Sequence, residues 1–179
     1  MGTRGFMGFA SGGTVKVSYN HFDSYPEHLG RVMFDWALSA DLDEAKEKLA
    51  LIELVDESAS PTPEQIEKLQ AAGFKASNVS TGMDFYSWLR DCQGNPRLQL
   101  DAPFMNDGSA FVYDPGYIEW GYIVDLDERV LEVYCGYRSA GLPSRFTGDG
   151  RNPLPLMLKA PLDGSMNNEA FITAALNSK

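Results

Sequence analysis

The stretch Asn20-His21-Phe22-Asp23-Ser24-Tyr25-Pro26 brings together an imidazole, a carboxylate, two hydroxyl-bearing side chains and an amide. It lies just ahead of a predicted helix, whose N-terminus offers free N–H groups and partial positive charge, a natural place for an anion. A histidine there changes charge near neutrality and responds to its neighbours. His21 would act as a general base or as a donor to a ligand, with Asp23 orienting the ring. The competing reading is a structural corner, in which Asp23 and Ser24 cap the helix and His21 bonds to backbone. His28 follows on the helix, where a solvated ring is expected.

The second candidate is Arg4. Residues 4–10 form a short apolar run, Ser11-Gly12-Gly13 supplies a turn, and 14–21 alternates, which predicts a β-hairpin. Val15, Val17, Tyr19 and His21 share one face, so His21 is expected to be partly buried. A two-residue Gly12-Gly13 turn pairs Ser11 with Thr14, and the same register sets Arg4 opposite His21. A bulge at Gly5 or Gly8 would break that register; those glycines alternatively mark close approach by a neighbour or ligand. In register, Arg4, His21 and Asp23 make a polar constellation suited to an anionic group, with Asn20 and Tyr25 beside it.

The third candidate is the late segment that carries Arg138, Arg145 and Arg151. Residues 136–165 are rich in Gly and Pro, and loops of this kind often bear function. Three arginines on an otherwise acidic chain suggest either an anion-reading lid over the Arg4/His21 end or plain surface charge. Tyr113, Tyr117, Trp120 and Tyr122 would line a pocket or, alternatively, fill the sheet core.

These residues need elements to hold them. Ser24-Tyr-Pro-Glu27 reads as a capping box for a first helix, with Leu29, Val32, Met33, Trp36 and Ala37 on its apolar stripe. Asp41 to Glu44 starts a second, with Leu42, Ala45, Leu49 and Ile52 inward. Thr62-Pro-Glu-Gln65 caps a third that Gly73 closes, and a fourth runs near 83–92. Short strands are predicted at 97–100 and 109–113, with a turn at Asp114-Pro-Gly116. Ile118, Trp120, Tyr122, Val124 and Leu126 then alternate, Asp127-Glu128 turns, and Leu131, Val133 and Cys135 continue in a partner strand. A strand at 154–158 follows, and Asn167-Asn168 caps a last helix reaching Leu176. The order implies a single α+β domain: an antiparallel sheet, made of the N-terminal hairpin and a later meander, packed against helices.

The 179 residues suffice for one core without a metal or disulfide staple. With two histidines and with Cys92 and Cys135 in unrelated contexts, a zinc site is not expected, and Cys135 should be a buried thiol. No leader segment and no run long enough for a membrane span is read, so a cytoplasmic protein is expected. A net charge of −10 disfavours direct binding to nucleic acid. It suits a basic partner, a nucleic-acid mimic, or simply solubility. Phosphate-loop, dinucleotide-binding, nucleophile-elbow and H-E-x-x-H motifs are missing, and no cofactor is expected. The oligomeric state is open.

Arg4-Gly-Phe-Met-Gly-Phe and Tyr19-Asn-His-Phe-Asp-Ser-Tyr-Pro, followed by Leu29-Gly30, resemble a family of uncharacterised bacteriophage and mobile-element proteins. That family has a His-aromatic-Asp-Gly/Ser-Tyr-Pro signature behind an N-terminal hairpin. Trp120-Gly-Tyr-Ile-Val-Asp-Leu-Asp and Leu131-Glu-Val-Tyr-Cys-Gly resemble its later hairpin. The architecture is also similar to the layered sandwich of N-terminal-nucleophile hydrolases, which use a first-residue Cys, Ser or Thr. Loss of Met1 would expose Gly2 here, and Thr3 only after a further cleavage. That family brings no established activity; together with the acidity and the missing catalytic set, the resemblance leads to the expectation of a phage-type accessory protein that binds a host protein or a small anionic, nucleotide-like signal. Two alternatives stand beside it: a small amide or phosphodiester hydrolase with His21 as base, and an acidic nucleic-acid mimic.

Overall fold

The computed structural model describes residues 2–77, 84–147 and 150–177. The hairpin forms in the predicted register: β1 (Gly5–Ser11) runs antiparallel to β2 (Thr14–Asn20), with Ser11 opposite Thr14 and Gly5 opposite Asn20. Gly12 and Gly13 take φ of 58° and 80°, as a tight hairpin turn matching strand twist requires. Gly5 marks close approach rather than a bulge. A β-carbon there would lie 2.4 Å from Cβ of Ser24 and 2.5 Å from the carbonyl oxygen of Trp120.

Three more strands complete a sheet of order β2-β1-β5-β6-β7: β5 (Trp120–Asp125), β6 (Val130–Cys135) and β7 (Leu156–Pro161). Neighbours are antiparallel except β1 and β5, which pair in parallel with Gly5 opposite Trp120. A parallel partner needs a crossover, and the intervening chain supplies it with helices. The fold is therefore α+β, with a mostly antiparallel sheet that incorporates the N-terminal hairpin.

Both faces of the sheet are buried. Met7, Phe9, Tyr122, Val124, Leu131 and Val133 meet helices on one side. These are α1 (Arg31–Ser39), α2 (Leu42–Leu51), α5 (Pro96–Asp101) and α6 (Asn168–Asn177). The cap at Asp41 forms, its carboxylate accepting from the N–H groups of Asp43 and Glu44. Phe34 of α1 stacks on Phe171 of α6 with centroids 4.5 Å apart. A separate cluster packs α3 (Pro63–Ala71), opened by its Thr62/Gln65 capping box, against α4 (Phe85–Trp88).

Several predicted elements differ. Residues 97–100 lie in α5, because Asn95 accepts from the N–H of Leu98 and Pro96 presets the first helical turn. Residues Ser109–Tyr113 form a 3-10 turn instead of a strand. The fourth helix is short and passes into a 3-10 turn at Arg90–Cys92; Met83, its expected start, lies outside the described residues. An unpredicted parallel pair, β3 (Glu53–Val55) with β4 (Phe104–Asn106), sits beside the main sheet.

The second face, with Phe6, Ala10, Val17, Ile123 and Tyr134, is covered by irregular chain bearing Val112, Ile118 and Leu154. Glu132 and Asp125 also face this side, 1% and 10% exposed at their side chains, and both are paired to Arg145.

Candidate functional site

The start of β1, the end of β2, the start of β5 and the end of β6 all meet at one end of the sheet, and Arg4, Asn20, His21 and Tyr117 stand there. Arg4 precedes β1, and its guanidinium lies 4.2 Å from the centroid of the Tyr117 ring. Tyr117 Oη is 3.3 Å from Tyr19 Oη, which in turn is 3.0 Å from Nδ1 of His21. Tyr19 stacks on Phe111 with centroids 4.8 Å apart. Arg4 and His21 are thus joined through two tyrosines rather than by direct contact. Burial, then the hydrogen bond and charge of Tyr117, push the Tyr19 hydroxyl above the ordinary phenol value.

Glu119 is the residue that sequence reasoning missed. Its carboxylate accepts from the backbone N–H of Arg4 at 3.3 Å and from the hydroxyl of Tyr137. Burial and this carboxylate push the Tyr137 hydroxyl up to about 12. The signal was present in outline: Glu119 is an acid on the opposite face of the Ile118–Leu126 alternation, directly before Trp120. Arg138 lies next to Tyr137, its side chain near Cys135.

The corner from Asn20 to Ser24 is structural in its inner half. Asn20 is 3% exposed; its amide donates to Oγ of Ser24 at 2.8 Å and to the carbonyl of Phe22. Ser24 is held by this amide and by its N–H bond to the carbonyl of Thr3, so the expected capping box does not form. Tyr25 is the cap position, without a side-chain cap bond, before a π-helical turn at Pro26–Gly30. Asp23 sits at φ 44°, a left-handed conformation that Asp tolerates better than most residues. Its carbonyl accepts from Leu29, while the partner of the His21 ring is Tyr19, so Asp23 does not orient the imidazole.

His21 is exposed, contrary to expectation, because strand pairing ends at Asn20 and the chain bends away. Its N–H reaches Oε1 of Gln93 at 3.4 Å, and the same oxygen accepts from Arg90 at 2.7 Å. Arg90 lies 5.1 Å from the Phe22 centroid and 5.5 Å from that of Tyr86. Phe22 is 51% exposed, Tyr117 37% and Tyr137 68%; His21 and Tyr19 link Phe22 to Tyr117, and Glu119 links Tyr137 to Arg4.

The predicted arginine lid is not built. Arg145 Nε and Nη2 bind Glu132 at 2.9 Å and Asp125 at 2.5 Å, toward the opposite end of the sheet. Arg151 lies 3.5 Å from the Tyr113 centroid. Nor do the four late aromatics share a pocket: Tyr122 is core, its hydroxyl donating to the carbonyl of Ser24 at 2.9 Å, and Trp120 packs on the helical face. Among the described residues there is no group of three His, Cys, Asp or Glu placed to hold a metal ion, and no helix long and apolar enough to cross a membrane.

Comparison with protein-family models, with curated proteins and with solved structures found no match. What fold and site define together is a class: an α+β protein whose sheet ends in an open aromatic and arginine surface.

Proposed function

We propose that this chain is a phage-type accessory protein that acts by holding a host protein against the aromatic end of its sheet. One observation carries the reading: Phe22, Tyr117 and Tyr137 stand open at one end of the sheet, with Arg4 over Tyr117 and Arg90 over Phe22. Single exposed apolar residues are ordinary, but a contiguous group is characteristic of recognition surfaces. Tyr and Arg are, with Trp, the residues most enriched at interface hot spots, Tyr because it buries a large area at small entropic cost and Arg because its planar fork makes several directed hydrogen bonds. The segments resembling phage proteins, 4–9, 19–26, 120–127 and 131–136, lie on neighbouring strands, and each has one terminus at this end of the sheet.

A small anionic ligand is the second reading, favoured by Arg4. Its guanidinium lies over a ring and has no carboxylate partner among the described residues. The hydrolase alternative draws little from this geometry, because His21 is exposed and oriented by a phenol. The mimic alternative needs an unbroken acidic face, and the acids of α2 are interrupted by Lys46, Lys48 and Arg129.

The test is affinity capture from bacterial cells with the wild-type chain beside Phe22→Ala/Tyr137→Ala and, separately, Asp43→Lys/Glu47→Lys on α2. A protein retained by wild type and the α2 variant but lost by the aromatic variant supports the reading. Equal retention by all three would place the interface elsewhere.

A further inference from the structure

A cleft of about 290 Å³ opens where the end of α1, the start of α2 and α5 meet, lined by none of the residues of the aromatic surface. Its lining is chemically two-sided. Trp36, Ala45 and Leu100 give an apolar floor, Asp41 and Glu44 line it from α2, and Arg97 from α5. The charges are not all consumed internally. Lys48 is shared between Glu44 at 2.9 Å and Asp101 at 2.6 Å. Asp41 spends one carboxylate oxygen on the helix cap and faces no cation among the described residues. Arg97 has no carboxylate within ion-pair distance among the described residues, and the indole N–H of Trp36 donates to none of them.

We propose that this cleft binds a small zwitterion, an α-ammonium and a carboxylate on one short apolar molecule, as in a free amino acid or dipeptide. The carboxylate pairs with Arg97 and accepts from the Trp36 indole. The ammonium takes Asp41, with Glu44 beside it, and the ligand's side chain covers Ala45 and Leu100. Complementarity of sign at both ends is the argument. A simple anion would meet Asp41, Glu44 and Asp101, and a simple cation would meet Arg97 and Lys48; only a molecule carrying both charges pairs with each set. The size agrees, since ligand pockets begin at about 300 Å³.

The experiment is isothermal titration of the whole chain, backed by Trp36 fluorescence, with L-phenylalanine, L-leucine and the dipeptide Leu-Leu. N-acetyl-L-phenylalanine and L-phenylalaninamide, each lacking one charge, are the controls. Saturable binding of a zwitterion is expected, with both blocked compounds and both variants, Arg97→Ala and Asp41→Asn, about 10–100-fold weaker. Asn keeps the helix cap and Arg97 is exposed, so both variants should fold, which unchanged circular dichroism verifies. A preference for L-phenylalanine or L-leucine over Leu-Leu identifies a free amino acid; the reverse identifies a dipeptide. Equal affinity for blocked and free forms, variants that bind like wild type, or no saturation by any zwitterion would overturn the proposal.

Discussion

The guanidinium of Arg4 lies 4.2 Å from the centroid of the Tyr117 ring, at the rim where β1 and β5 begin. A cation–π pair this accessible contributes about 0.5–1 kcal/mol. In a domain of this size Arg4→Ala should therefore lower Tm by no more than ~2–4 °C. Association with a partner that uses this surface should weaken about 30-fold, as at an interface hot spot. Thermal unfolding and a binding titration separate the two effects. A large fall in Tm with unchanged binding would make Arg4 a residue of the fold alone.

Arg145 ties the late irregular chain to Asp125 and Glu132. Glu132 also holds the hydroxyl of Tyr134 at 2.7 Å and Lys159 at 3.3 Å. Burial alone would lower the Arg145 pKa, but the two carboxylates outweigh it and raise it. Arg145→Met leaves two buried carboxylates facing one lysine, and removal of one partner of such a group costs about 3–5 kcal/mol. Lys159→Met, at a 45% exposed side chain, should cost well under half as much. Urea unfolding of both variants decides the ranking; equal losses would refute it.

Acid should weaken the β1–β2 turn through Asp127. The N–H of Gly12, then the Ser11 hydroxyl and Lys46, hold its carboxyl below the ordinary 3.8. A depressed folded value means a contribution present above the unfolded value and lost as pH falls through the folded one. Tm followed from neutrality downward should thus decline below about pH 4, and Asp127→Ala should flatten part of that decline. Asp56 and Asp163, lowered by bonds from Ser58 and Ser165, account for some of the remainder. An acid limb identical in the variant would remove Asp127 from the explanation.

Neither thiol should react in the folded protein. Burial, then Asp91, pushes Cys92 up to about 12, and burial raises Cys135 despite Arg138. Thiolate is the reactive form, so a disulfide-exchange reagent at neutral pH should titrate no rapid thiol until denaturant is added. A fast native thiol would show that one of the two sites opens.

The hairpin was legible because its information is local: two glycines fix the turn, and the turn fixes every pair from Ser11/Thr14 to Gly5/Asn20. Helix caps at Asp41 and Thr62 were legible for the same reason. Residues 97–100 misled, since Leu98 and Leu100 alternate with polar residues as in a strand, yet two residues upstream, Asn95 and Pro96, decide for a helix. Ser24 misled in another way. Its oxygen could cap the helix ahead of it or accept from Asn20 four residues back, and the buried amide won. The candidate site was half visible. Arg4 and His21 came from register, whereas Glu119 and Tyr117 join them only through the parallel contact of β1 with β5, which no local pattern announces.

That parallel contact also sets a timetable for synthesis. Gly5 leaves the ribosome long before its partner Trp120, and at about 5–20 residues per second the delay is roughly 5–20 seconds. Through that interval one edge of β1 has no strand to pair with, and Phe6, Met7 and Phe9 have no sheet to cover them. Pairing across so long a loop is slow in any case. The nascent chain is therefore a natural client for chaperones that shield apolar strands, and truncation anywhere before β5 should yield aggregates rather than a smaller folded core.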